Sequence, residues 1–131
     1  MPSQSSAVRA LSVALLLIGI TFIIGIYPLT RLWPSGWAWT PSQPEYLQMI
    51  LVIYATLGVF LILAARDPLN NLSLIWFTVW SSWVHAGIIA VQAFMGQRGG
   101  HLFGDLPALV LVGVVLAVLT PKTLRPTRAA A

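Results

Sequence analysis

Residues 72–95 read LSLIWFTVWSSWVHAGIIAVQAFM, a run without a single Asp, Glu, Lys or Arg. A helix of this length is about 36 Å long at 1.5 Å per residue, and the hydrocarbon core of a bilayer is about 30 Å thick. The stretch therefore predicts a helix that crosses a membrane.

Three other runs have the same character. The first follows Arg9, exceeds the roughly 7 to 15 apolar residues of a cleaved signal peptide and lacks a cleavage site, so we interpret it as an uncleaved span. The last, with its apolar core at Leu106–Leu119, is short and needs Lys122 to reach the interface. The predicted spans cover residues 10–29, 45–65, 72–95 and 104–121.

The composition agrees with a membrane protein. The chain has 131 residues, of which 58% are hydrophobic and 8% charged, against about 25% charged in a soluble domain. We expect an all-α, integral membrane four-helix bundle with up-down-up-down topology, forming one domain over residues 1–131 with a disordered tail at 123–131. The absence of cysteine excludes disulfides, thiolate chemistry and Cys-bound metals.

The connections between spans carry turn signals. Trp33–Pro44 is rich in Trp, Pro and Gly, which predicts a break in the helix and a loop at the membrane surface. Ser42-x-x-Glu45 has the form of a capping box. Asp105 is placed to cap the last span.

The basic residues predict the orientation. One side of a four-span chain holds Arg9, Arg66, Lys122, Arg125 and Arg128, and the other holds Arg31 and Arg98. Because positive charge is retained in the cytoplasm, both termini are expected there, and the Trp-rich and Gly-rich loops are expected outside. No basic face is present, so nucleic acid is not an expected partner. The expected partners are membrane lipid and other membrane subunits.

The third span carries one polar stripe, which we expect to face the other helices because polar groups avoid lipid. Its members are Thr78, Ser81, Ser82, His85 and Gln92. Their simplest role is hydrogen bonding across the bundle. For His85 three alternatives remain: an axial ligand of haem or chlorin, a proton relay, and a hydrogen-bonding partner, for example of Tyr54.

A second set of polar residues gathers at the predicted outer ends of the spans: Arg31, Glu45, Gln48, Gln92, Arg98, His101 and Asp105. Glu45 and Asp105 stand at helix starts, where a carboxylate is favoured without any further role. No local ligand spacing is present, so a metal site is not predicted. His101 is expected in a loop. Small residues on the spans, Gly19, Gly25, Gly58, Gly87 and Gly113, mark places where helices can approach closely.

The chain from about Tyr46 to Leu119, and above all its motifs between Leu63 and Ala93, resembles a known family. Its most specific part is Trp80-Ser81-Ser82-x-x-His85-Ala86-Gly87. The resemblance is to an uncharacterised family of small bacterial four-helix membrane proteins with a domain of unknown function, and it implies a bacterial inner-membrane protein without implying an activity. The four-span outline is also loosely similar to the DoxX-like group, which includes quinone-linked oxidoreductase subunits.

Two functional hypotheses follow. In the first, the protein is non-catalytic, either an accessory subunit or a binder of a lipid-like ligand in the outward half of the bundle. In the second, it is a membrane oxidoreductase or electron-transfer component that holds a quinone, haem or chlorin near His85, with Gln92 and tryptophans lining the cavity.

The topology gives a first prediction. The chain has no native cysteine, so a single cysteine introduced at Ser35 or at Arg125 is the only thiol in its variant. We expect a membrane-impermeant thiol reagent to label these two cysteines from opposite sides of the membrane. Labelling of both from one side would contradict four spans.

Overall fold

The computed structural model describes residues 4–38, 44–96 and 99–121. The predicted capping box at Ser42, the basic residue Arg98 and the tail at 123–131 lie outside these residues. Six α-helices occur in the described part: α1 (Gln4–Ile20), α2 (Ile26–Leu32), α3 (Pro34–Trp37), α4 (Pro44–Ala64), α5 (Leu72–Met95) and α6 (Asp105–Leu119). Short 3₁₀ turns at Pro68–Asn71 and Gly99–Leu102 precede α5 and α6.

Four helical segments are long and apolar enough to cross a membrane: Ser6–Leu32, Glu45–Ala64, Pro68–Met95 and Gly100–Leu119. The prediction of an all-α four-helix membrane bundle is confirmed. The fourth segment reaches spanning length because the 3₁₀ turn adds to the 15 residues of α6. The first continues past residue 29 to Leu32, although Pro28 lies within it.

A π-helical segment, Thr21–Gly25, joins α1 to α2. The N–H of Ile26 donates to the carbonyl of Thr21, five residues earlier. Pro28 accounts for this irregularity, since proline has no N–H and its ring crowds the carbonyl four residues before it, which here is Ile24. The first span therefore continues through Pro28 with a local change in helical register.

The helices are arranged in the order α4, α1, α6, α5 around the bundle. α1 packs on α4 and α6, and α5 packs extensively on α6, whereas α4 and α5 scarcely touch. Gly19 and Gly58 make the α1–α4 approach possible: a Cβ on Gly19 would lie 2.7 Å from the Gly58 carbonyl oxygen, and one on Gly58 would lie 2.6 Å from that of Gly19. Between α5 and α6, the indole of Trp83 occupies the space that a Gly113 side chain would fill.

The tightest packing lies toward the Arg66 end of the bundle. Fully buried residues from all four spans meet there: Leu11, Leu15, Leu61, Ile75, Val79 and Leu116. A smaller cluster of Ala86, Ile89 and Leu109 fills the other half. We call that other half the Trp-rich end, because the connections that contain Trp33 and Gly100 lie there.

The Trp-rich end is closed by short elements. Residues 34–37 form α3 where the sequence predicted an irregular loop, and α3 packs on the 3₁₀ turn before α6. The backbones meet at Gly36 and Gly104, and again at Ser35 and Gly100, so that a side chain on Gly104 or Gly100 would overlap the facing carbonyl group. This packing places Trp37 and His101 over the end of the bundle.

The paired glycines give a matched test of helix packing. We expect Gly58→Ala to lower the free energy of unfolding by about 1 to 3 kcal/mol, because its methyl group overlaps the α1 backbone. Gly87→Ala meets no atom within 4 Å and should be neutral or stabilising by up to about 1 kcal/mol, since alanine favours a helix. Thermal unfolding in detergent measures both, and equal stabilities of the two variants would contradict the close approach.

Candidate functional site

A cavity of about 130 Å³ lies in the Trp-rich half of the bundle. It occupies the side on which α4 and α5 scarcely touch, and every span contributes to its wall. Most of the wall is apolar, and Ile50, which belongs to it, is also exposed at the helix surface. The lining residues of most consequence are Phe22, Trp37, Tyr54, His85, Asp105 and Ala108.

Tyr54 and His85 form the polar wall of this cavity. The Tyr54 hydroxyl is hydrogen-bonded to Nδ1 of His85, and the two rings are stacked at a centroid distance of 5.8 Å. Phe22 packs edge-to-face on the other side of Tyr54, with ring centroids 5.1 Å apart. The hydrogen bond is one of the alternatives that the sequence left open for His85, and it joins the two helices that otherwise barely meet.

Two nitrogen atoms beside the cavity make no hydrogen bond within the described part of the chain. One is Nε2 of His85, since the ring bonds only through Nδ1. The other is the indole Nε1 of Trp37, which is buried. Both side chains belong to the cavity wall.

Asp105 and His101 form a second polar pair, with 3.0 Å between Asp105 Oδ2 and His101 Nδ1. Both residues are buried, and His101 lies in the 3₁₀ turn Gly99–Leu102 that connects α5 to α6. The capping prediction for Asp105 is wrong: Gly104 occupies the N-cap position and no side chain caps the helix there. The Asp105 carboxylate instead bonds the imidazole one turn earlier and lines the cavity.

The polar stripe of α5 divides into three parts. Thr78 and Ser82 are buried and Ser81 is half-buried. The Thr78 and Ser81 hydroxyls donate to the carbonyls of Leu74 and Thr78 in their own helix, so their polarity is satisfied locally. Gln92 is exposed and takes no part in the cavity, so its predicted inward orientation is wrong. Of the stripe, only His85 reaches the cavity.

Among the described members of the predicted cluster at the outer ends, His101 and Asp105 are in contact; Arg98 lies outside the described residues. Arg31, Glu45 and Gln48 are exposed. The Arg31 guanidinium lies 5.5 Å from the ring centre of Tyr27, on its own helix. No group of three or more His, Asp or Glu residues in the described chain is placed to hold a metal ion.

The volume of the cavity limits what it holds. Cavities of about 150 Å³ accommodate one benzene molecule, so about 130 Å³ suits a single six-membered ring or a comparable headgroup. A haem or chlorin, whose macrocycle joins four pyrrole-type rings through methine bridges, is several times larger. The geometry thus favours a small headgroup beside His85 over a tetrapyrrole.

Several lining residues were not expected from the sequence. Phe22 was interpreted as part of a uniformly apolar helix. Trp37 was interpreted as part of an interfacial loop, although the second hypothesis placed tryptophans along the cavity. The spacing of His101 and Asp105, four residues apart on consecutive turns, is a local signal that predicts their contact. Nothing comparable in the sequence indicates that α3 folds over the cavity.

Comparison with known proteins places the chain in a family. Residues 5–127 match the family of unknown function DUF6632. The chain belongs to this family. No curated protein and no solved structure gives a significant match. This match confirms the predicted resemblance to an uncharacterised family. The likeness to DoxX-like proteins and the bacterial origin stay predictions.

The hydrogen bond in the cavity wall gives a prediction. Tyr54→Phe removes the hydroxyl and keeps the ring, and we expect it to lower the free energy of unfolding by roughly 0.5 to 2 kcal/mol, as for other hydrogen bonds between membrane helices. Tyr46→Phe is the matched control, because Tyr46 is an exposed tyrosine of the same helix. Thermal unfolding in detergent compares the two, and an equal effect of both substitutions would contradict a stabilising Tyr54–His85 bond.

Proposed function

We propose that this protein is a non-catalytic, multi-pass membrane protein that binds a lipid-like molecule in the outward half of its bundle. The observation that carries the proposal is the cavity of about 130 Å³, which all four spans line and which the Tyr54–His85 pair borders. The proposed location is a bacterial inner membrane, with both termini in the cytoplasm and the Trp-rich end outside.

The shape of the bundle supports an amphiphilic ligand. The cavity wall is mostly apolar, yet it includes the Tyr54, His85, Asp105 and Trp37 side chains. Binding sites for small molecules commonly combine an apolar wall with a few polar groups that orient the ligand. The scant contact between α4 and α5 leaves room for an alkyl chain to extend from a bound headgroup toward the lipid.

A role as accessory subunit is compatible with the same site. In that case the bound molecule is shared with, or delivered to, another membrane subunit. The exposed aromatic residues of α5, Phe77, Trp80 and Phe94, provide a surface suited to lipid or to a neighbouring helix.

The second candidate is an oxidoreductase component that holds a quinone near His85. The size of the cavity favours it over the haem and chlorin versions, because a quinone head is a single ring. It differs from the first candidate only in the redox activity of the ligand, so that one preparation tests both.

Occlusion of the cavity tests the proposed function. Ala108→Phe introduces one ring into the cavity wall, and we expect it to abolish retention of a lipid-like species that co-purifies with the wild type in mild detergent. Val110→Phe is the control, because Val110 is exposed on the same helix and does not line the cavity. Mass spectrometry of the extracted protein measures the retained species per chain.

Equal retention in all three proteins would refute a ligand in this cavity. If the species retained by the wild type changes its ultraviolet absorption on chemical reduction, the quinone candidate replaces the non-catalytic one. A visible haem or chlorin band that disappears in His85→Ala would contradict both, because a tetrapyrrole exceeds the cavity.

A further inference from the structure

The unpaired nitrogen atoms of the cavity define the chemistry of its ligand. This inference rests on the proposed function. We propose that the bound headgroup carries a neutral hydrogen-bond acceptor, such as a carbonyl oxygen, which accepts hydrogen bonds from the N–H groups of Trp37 and His85. Both side chains line the cavity, and neither nitrogen is bonded within the described residues.

The tautomer of His85 follows from the relative strengths of the donors and acceptors in its bond with Tyr54. The Tyr54 hydroxyl has one described partner, Nδ1 of His85. If Nδ1 carried the proton, it would donate to the tyrosine oxygen, and the hydroxyl hydrogen would remain without an acceptor in an apolar wall. If the hydroxyl donates, Nδ1 accepts and the neutral ring carries its proton on Nε2. Either arrangement leaves one hydrogen of the pair without a described acceptor, but a phenol hydroxyl is a stronger donor than imidazole N–H, and imidazole nitrogen is a stronger acceptor than phenol oxygen. The second arrangement is therefore favoured, and it makes Nε2 of His85 a donor.

Trp37 adds a second donor. Indole nitrogen is always a donor and never an acceptor, and the Trp37 Nε1 atom is shielded from solvent. A buried donor without a partner is destabilising, and in the bilayer no lipid tail can satisfy it. A carbonyl oxygen has two lone pairs, so that it can accept from both Trp37 and His85.

Asp105, whose carboxylate is hydrogen-bonded to His101, disfavours an anionic headgroup. Its carboxylate lines the same cavity, and two negative charges repel strongly where the dielectric constant is low. A phosphate or carboxylate head would meet this repulsion, whereas a neutral carbonyl would not. Tyr54 and Asp105 thus act as selectivity residues, the first through the tautomer of His85 and the second through its charge.

Three probes with the same alkyl chain separate these features in the purified full-length protein: an alkyl phenyl ketone, the corresponding alkylbenzene and a 4-alkylbenzoate. Each has one ring, so all match the cavity in size. We expect the ketone to bind about 25-fold more tightly than the alkylbenzene, about fivefold for each of its two hydrogen bonds. The benzoate should bind most weakly. Isothermal titration calorimetry in detergent micelles measures the affinities.

Conservative variants assign the donors. Trp37→Phe keeps a ring and removes the N–H, and it should reduce ketone affinity about fivefold while leaving alkylbenzene affinity unchanged. Trp33→Phe is the control, because Trp33 is exposed and lies outside the cavity wall. Tyr54→Phe should also weaken the ketone selectively.

The tautomer itself is measurable without a ligand. The protein has two histidines, so the ¹⁵N spectrum of labelled imidazoles is resolved by comparison with a His101→Gln variant. We expect protonated Nε2 and unprotonated Nδ1 at His85, with this preference lost in Tyr54→Phe. Protonated Nδ1 in the wild type would overturn the donor role of His85.

The outcomes distinguish this inference from the function on which it rests. If ketone and alkylbenzene bind equally and Ala108→Phe blocks both, the cavity binds ligands but the acceptor requirement is refuted. If the benzoate binds as tightly as the ketone, the neutrality of the headgroup is refuted. If no probe binds and Ala108→Phe changes nothing, the proposed function is refuted together with the inference.

Discussion

The controlling constraint on this structure is that lipid offers no hydrogen bonds. Each polar group within a span must find its partner in the protein, or remain unsatisfied at a cost of several kcal/mol. Helices satisfy the backbone. The hydroxyls of Thr78 and Thr21 return to carbonyls of their own helix, and Tyr54 and His85 satisfy each other across two helices. The arrangement of polar residues in the bundle follows from this requirement.

Uneven packing is the second determinant. Two close helix approaches, at Gly19 with Gly58 and at Trp83 with Gly113, draw α4 onto α1 and α5 onto α6. The two pairs then join through α1 and α6, which leaves α4 and α5 as the least packed neighbours. The cavity is therefore a consequence of where the small residues are, and the aromatic side chains of Phe22, Tyr54 and Trp37 border the space that remains.

Much of the architecture could be predicted from the sequence because a bilayer imposes a length and a polarity that hydropathy reveals directly. The partner of His85 was among the sequence-based alternatives for the same reason, since an intramembrane imidazole requires one. The order of helices around the bundle could not be predicted, because the spans are apolar on nearly all faces and carry no strong stripe that specifies a neighbour. Asp105 was misjudged because capping is a local rule, whereas its contact with His101 depends on the 3₁₀ turn before the helix.

The scant contact between α4 and α5 has a thermodynamic consequence. A molecule that enters beside the exposed Ile50 comes from the lipid phase, where partitioning has already concentrated it. Each methylene group of an alkyl tail adds about 0.8 kcal/mol to that partitioning, although the tail need not contact the protein. For the proposed ligand, occupancy would therefore depend on its mole fraction in the membrane, and a site of modest intrinsic affinity would remain filled when the aqueous concentration is negligible.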